Sequence, residues 1–290
     1  MGLSAELIVN THSRRGRGDW PLIRAALDRL PIEVNARAVS DPARLGPEME
    51  AAIAAAPDLL ILGGGDGTIS RLAPLLVGTG IPLAVLPLGT ANSFARGLEI
   101  PLDLEAAARL AVEGRRRRVD LGRIESHHFV SMAAIGLSPL IAGSVPEGLK
   151  RWFGRAGYLA WAALRFARFR PFDLHVEGDG VSERLRAVEV RIANTGFHGG
   201  TELVESAHAD DGAIVVQAVR GRARRRLVLN WAGKLLPLPA AREDEVTVRG
   251  TALRIATDPP LPISLDGEVL ARTPVTVEVV PGAIEVLVPR

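Results

Sequence analysis

The chain's 290 residues, 47% hydrophobic and 23% charged, supply enough apolar surface for one large domain or two ordinary ones. There is no cysteine, which excludes disulfides, thiolate metal sites and cysteine nucleophiles and makes the cytoplasm the expected compartment. The 35 bases nearly balance the 33 acids, but Lys150 and Lys234 are the only lysines and neither has the setting of a P-loop or protein-kinase lysine, so both of those sites are excluded.

In chain order, AELIVN at residues 5–10 reads as a buried strand. A helix is expected over 19–30, capped by Asp19, with Pro21 in its first turn and apolar residues at Leu22, Ile23, Ala26, Leu27 and Leu30. A strand at 32–39, a helix at 42–55, a strand at 58–62, a helix after Gly67, a strand at 83–86 and a helix after Thr90 continue the alternation. Such alternation predicts a parallel sheet covered on both faces, with ligands in the crevice at the carboxyl ends of the strands.

Past Val119 the rhythm changes. Val- and Ile-rich runs at 185–193, 213–219, 245–249, 252–257, 274–280 and 283–288 are punctuated by Gly, Pro or Asp, a pattern of antiparallel sandwich type. Helices are expected near 147–170 and 222–236. The fold class is therefore α/β plus all-β: residues 1–120 form a parallel-sheet nucleotide-binding domain, and 121–290 form a β-sandwich substrate domain whose final strands return to the first. The amino terminus lacks a signal-peptide pattern, and the uncharged stretch 72–95 is broken by Pro74, Pro82, Pro87, Gly78, Gly80 and Gly89, so buried core is expected rather than a membrane span.

The chemistry concentrates in LLILGGGDGT at 59–68, a buried strand running into glycines and then a helix. That turn lets backbone N–H groups approach an anion, which fits a polyphosphate at Gly64, Gly65, Gly67 and Thr68. Asp66 in its midst would repel phosphates unless a divalent cation lay between, so it is read as a magnesium contact. A second loop, PLGTANSF at 87–94, leaves the next strand the same way, and Gly89, Thr90 and Asn92 either line the same crevice or serve as a helix N-cap. His127 and His128 are adjacent on an expected strand, point to opposite faces and are read as solvent-side residues rather than a metal pair.

GGGDGT followed by PLGTANSFAR resembles the catalytic domain of diacylglycerol kinases, sphingosine kinases and small bacterial lipid kinases. The resemblance continues through ANTGFHGG at 193–200, ADDGA at 209–213 and ISLDGE at 263–268. It implies an ATP- and magnesium-dependent kinase acting on a hydroxyl of diacylglycerol or a related lipid. It places ATP on Asn10, the Gly64 to Thr68 loop, Gly89, Thr90 and Asn92, and makes Asp266 the base with Glu268 a second acidic residue. Asp211 is carried over as a metal-site residue, although Asp-Gly turn formation explains it equally well. Asp266-Gly267 by itself is also a strong hairpin signal. The chain departs from the family pattern at Asn10-Thr11, where Asn-Pro is usual, and at Asn92-Ser93, where Asn-Asp is usual.

NAD kinase is the enzymatic alternative, and a non-catalytic nucleotide- or lipid-binding regulator the other. The arginine runs at 115–118 and 220–226 are read as solvated faces rather than a nucleic-acid surface. The mixed basic and aromatic stretch from Lys150 to Phe169 has two readings, a helix on an anionic membrane surface or one packed on the β domain. A cytoplasmic enzyme in peripheral contact with anionic membrane, with a homodimer as a further expected partner, completes the reading.

Overall fold

The computed structural model describes residues 3–12, 14–136, 169–221 and 245–290. The first half runs β1 (Leu3–Asn10), α1 (Arg14–Gly18), α2 (Trp20–Leu27), β2 (Ile32–Val39), α3 (Leu45–Ala54), β3 (Leu59–Gly64), α4 (Asp66–Leu72), β4 (Leu83–Pro87), α5 (Ser93–Gly97) and α6 (Leu104–Glu113). Strands β2, β1, β3 and β4 lie side by side and parallel. Leu7, Ile8, Val9, Leu60, Ile61 and Leu62 are fully buried, because helices cover both faces of the sheet along these stretches. The expected strand at 32–39 has its predicted ends, whereas the helix read over 19–30 spans only Trp20–Leu27. Asp19 stands at its N-cap position without a side-chain cap, in αR rather than extended backbone. Leu22, read as a core position, is 60% exposed, and Ile23 and Leu27 carry the buried stripe.

From residue 115 the described chain is nearly all strand: β5 (Arg115–Ile124), β6 (His127–Phe129), β7 (Met132–Gly136), β8 (Phe172–Gly178), β9 (Val181–Ala193), β10 (Phe197–His198), β11 (Thr201–Glu202), β12 (Ile214–Arg220), β13 (Glu245–Gly250), β14 (Ala252–Asp258), β15 (Pro262–Leu265), β16 (Glu268–Arg272) and β17 (Val275–Val288). The arginines at 115–118, read as a solvated face, form the start of β5, with Arg116 paired to Glu285 on β17. The runs at 274–280 and 283–288 are one strand, β17, whose register with β5 shifts between Val280 and Ile284. Its first part pairs antiparallel with β14 and its last part parallel with β4, so a single 15-stranded sheet passes from the antiparallel half into the parallel one.

Two large apolar clusters flank this passage. One gathers β1, β3, β4, their helices and Ile284 to Val288; the other gathers β7, β8, β9, β12, β14 and β15 around Phe129 and Phe172. The helices expected near 147–170 and 222–236, both lysines and most of the second arginine run fall outside the described residues. Among the described residues no helix is long and apolar enough to cross a membrane.

Candidate active site

Strands β1, β3 and β4 are parallel, so Asn10, Gly64 and Pro87 end at one edge of the sheet and the loops that follow them meet there. The glycines of the first two loops are needed because the loops touch. A Cβ on Gly65 would stand 3.1 Å from Gly89 Cα, and one on Gly89 would stand 2.6 Å from Gly65 Cα and 2.7 Å from Asn92 Oδ1. A Cβ on Gly64 would collide with Thr68 at 2.5 Å. Gly67 differs, since an added Cβ there meets no protein atom within 4 Å. Leu88 N donates to Gly64 O at 2.9 Å and Phe94 N to Asp66 Oδ1 at 3.3 Å, which locks the start of α5 to the start of α4.

Asn10 Nδ2 donates to the buried Thr68 Oγ1 at 2.9 Å, while Asn10 Oδ1 accepts from His12 N at 3.0 Å. The Thr68 oxygen is thereby an acceptor, and its proton is left to give. Asn92 adopts φ +49 and folds its loop on itself, accepting from Gly89 N at 2.8 Å and donating to Gly89 O at 3.0 Å. It is 5% exposed and makes no side-chain cap, so the N-cap reading of Asn92 is not realised. Thr90 is exposed beside it.

The antiparallel half reaches this edge twice. The β10–β11 hairpin rests on the second loop, where Gly200 N donates to Ser93 Oγ at 3.2 Å. The β15–β16 hairpin turns at Asp266 and Gly267, with φ of +47 and +99, the geometry an Asp-Gly hairpin favours. Asp266 Oδ2 accepts from Val130 N at 2.7 Å, and Oδ1 accepts from Ser131 N and Met132 N, each at 3.0 Å. Asp266 N in turn donates to Met132 O at 2.9 Å. Hairpin turn and cradled carboxylate are thus one structure. Burial, with a smaller contribution from the negative charge of Asp66, pushes the Asp266 carboxyl up to about 6 against the pull of the three amides. Asp66 and Asp266, 200 positions apart, therefore lie within each other's field. Glu268, two positions on, opens β16 and is exposed.

Several residues that carry this geometry had no assigned role in the sequence. Burial pushes the His198 imidazole below its ordinary value, opposed by the carboxylates of Glu189 and Asp66. Asn194 and the backbone of 130–132 hold the Asp266 cradle. Asp120, buried at the crossing of the two halves, accepts from Gly282 N at 2.7 Å and Gly212 N at 2.8 Å. ANTGFHGG was a signal for the first and second of these; Asp120 had none, since one acid inside a strand carries no pattern.

The acidic loop is held by arginines. Arg117 pairs bidentately with Asp210 at 2.7 Å. Asp211 Oδ1 accepts from Ala213 N at 3.1 Å, and its Oδ2 lies 3.0 Å from Arg249 Nη2, close enough for an ion pair though not aligned as a hydrogen bond. Among the described residues no three His, Asp or Glu side chains cluster as a metal site. A cation at Asp66 would accordingly share its coordination with phosphate and water, the usual habit of magnesium.

A glycine-lined crevice at the carboxyl edge of a parallel sheet is thus faced by an antiparallel half that brings a carboxylate within the field of Asp66. Residues 4–124 match the family described as the diacylglycerol kinase catalytic domain, and residues 133–288 match the YegS C-terminal NAD kinase beta sandwich-like domain. A "Probable lipid kinase YegS-like" protein of Yersinia enterocolitica is 32% identical over 82% of this chain and 81% of its own length. Another of that name, from Klebsiella pneumoniae, is 28% identical over 94% of both chains. The fold is shared with a solved structure described as a putative diacylglycerol kinase from Bacillus anthracis, at a TM-score of 0.80 and 22% identity, covering 99% of this chain and 95% of that one. The chain belongs to the bacterial lipid kinase family.

Proposed function

We propose that the protein transfers the γ-phosphoryl group of ATP to a hydroxyl of diacylglycerol or a related lipid, with residues 1–120 holding the nucleotide and 121–290 the acceptor. The observation that carries this reading is the Asp266 carboxyl, oriented by three backbone amides, pushed up to about 6 by burial and lying within the field of Asp66. Gly64, Gly65, Gly67 and Thr68, with Gly89, Thr90 and Asn10, form the phosphate side of the crevice, and Gly67 offers the open approach. Asn92 shapes that side by closing its own loop. Asp66 holds magnesium, which when bound offsets phosphate charge. Asp211 we assign to loop closure through Arg249.

The three amides occupy three of the four lone-pair sites of Asp266, leaving one on Oδ2 for the acceptor hydroxyl. As that hydroxyl oxygen bonds to the γ-phosphorus, its proton passes to Asp266 and the bond to the ADP oxygen breaks. Glu268, exposed on the same hairpin, orients the acceptor. The basic and aromatic stretch from Lys150 to Phe169 supports peripheral docking on an anionic membrane, where such an acceptor resides. The test is purified protein with radiolabelled ATP and magnesium against diacylglycerols, other lipid hydroxyls, sphingoid bases and NAD. Label in a glycerolipid is expected; label in NAD would establish the NAD-kinase alternative instead.

A further inference from the structure

We infer that Asn194 is a positioning residue for the transfer reaction: its side chain holds the 130–132 segment whose amides orient Asp266. This rests on the reading of Asp266 as the base. Asn194 is fully buried, and its Nδ2 spends both protons on main-chain carbonyls, one on Val130 O at 2.9 Å and one on Asp120 O at 2.8 Å. Its own N–H and that of Thr195 both donate to Ser131 O at 3.0 Å. Residues 130 and 131 are therefore gripped through their carbonyls by Asn194 and Thr195, while their N–H groups, with that of Met132, point at the Asp266 carboxylate. The segment is a strap fixed on one side and serving the base on the other.

The residue type follows from that task. Two donors on one short side chain are needed, which a serine cannot supply, an aspartate lacks, and a glutamine presents one methylene too far. The second tie gives the arrangement a reach beyond the strap. Asp120, whose carbonyl Asn194 holds, accepts from Gly282 N on β17 and Gly212 N on the acidic loop, so the Asp266 cradle is anchored where the parallel and antiparallel halves join. Asn194 Oδ1 is buried with no hydrogen-bond partner among the described residues, so the donors and not the acceptor set the residue type. An asparagine here is retained for its two donors.

Hydrogen bonds to a carboxylate favour its charged form, so a loosened strap raises the Asp266 pKa above its resting value of about 6. Among the charged groups acting on Asp266, Asp66 contributes from the facing loop and is unchanged by the substitution. The experiment follows the Asp266 carboxyl by 13C NMR titration in the resting full-length protein, with the signal assigned by its loss in Asp266→Asn, alongside the pH profile of kcat/KM. Asn194→Ser and Asn194→Ala are the variants, and Thr195→Val, equally buried and next in the chain, is the packing control. We expect Asn194→Ser to raise the Asp266 titration by about half a unit or more, with the acid limb of kcat/KM following, kcat falling about tenfold and the KM for ATP within about twofold. An unmoved Asp266 titration in folded Asn194→Ser, or an equal shift in Thr195→Val, overturns the inference. A shifted titration that the acid limb ignores would leave Asn194 in its role and overturn Asp266 as the base.

Discussion

Gly65 and Gly67 sit two positions apart and have different reasons to be glycine. Gly65→Val drives a side chain into Gly89 and is expected to lower the melting temperature by several degrees as the loops part, whereas at Gly67 an added Cβ meets no protein atom within 4 Å and Gly67→Val should change it far less. Both should lose ATP in calorimetric titration, and binding retained by Gly67→Val would remove the phosphates from that approach. Asp266→Asn is expected to leave ATP binding within about threefold and to cut kcat by about 10²-fold or more. The sign of its stability effect is also fixed. A carboxyl whose folded pKa is raised from 3.8 to about 6 contributes most stability below its unfolded pKa and loses it as pH rises through 6. The melting temperature of Asp266→Asn relative to wild type should therefore rise between pH 4 and pH 7; a difference flat with pH would mean the carboxyl is not perturbed. The proposed role of Asp266 as base predicts the opposite trend for catalysis, since a base must be ionised: kcat/KM should fall about tenfold per unit below pH 6.

Between elements, the joint made by β5, β17 and the acidic loop hangs on Asp120. Asp120→Ala leaves Gly212 N and Gly282 N without their acceptor, and a loss of about 2–4 kcal/mol is expected in urea unfolding, with hydrogen exchange at both amides accelerated. Exchange accelerated at Gly212 alone would show that β17 holds its irregular register by other means. Arg117 shows how β5 divides its arginines: Arg116 meets Glu285 on the neighbouring strand, and Arg117, pointing the other way, clamps Asp210. The same alternation is why a run of four arginines is compatible with a strand that ends fully buried at Val119 and Leu121.

Across the whole molecule, the parallel half and the antiparallel half are expected to communicate through charge at the cleft. Asp66→Asn removes a negative charge that raises Asp266, so the Asp266 titration should move down from about 6; if it stays, the two carboxyls do not share a cleft in solution. The proposed membrane contact is tested at the same scale. Flotation should carry the protein with anionic vesicles at low ionic strength and release it near half-molar salt, where the Debye length shrinks to a few ångströms. Equal, salt-insensitive binding to neutral vesicles would replace the electrostatic mode with a hydrophobic one.

Local pattern determined a good part of this protein. Short buried runs alternating with helical patterns specify a parallel sheet, so 32–39 and the loop at 59–68 were legible, as was the Asp-Gly hairpin at 266, because each depends on residues within a few positions. The first helix ended short and Asp19 failed to cap because its backbone is αR, a dihedral that composition does not encode. The arginines of β5 are mostly exposed, as read, but the strand they begin had no local signal, because it is imposed by pairing with β17, about 170 positions away. The cradle of Asp266 was out of reach for the same reason: its donors are main-chain amides at 130–132, held by Asn194, and a backbone N–H leaves no mark on residue type. Sequence named the carboxylate; only the tertiary structure brought the amides to it, the Asp66 charge within its field and the two halves onto one continuous sheet, since burial and long-range hydrogen bonding exist only once the chain has closed.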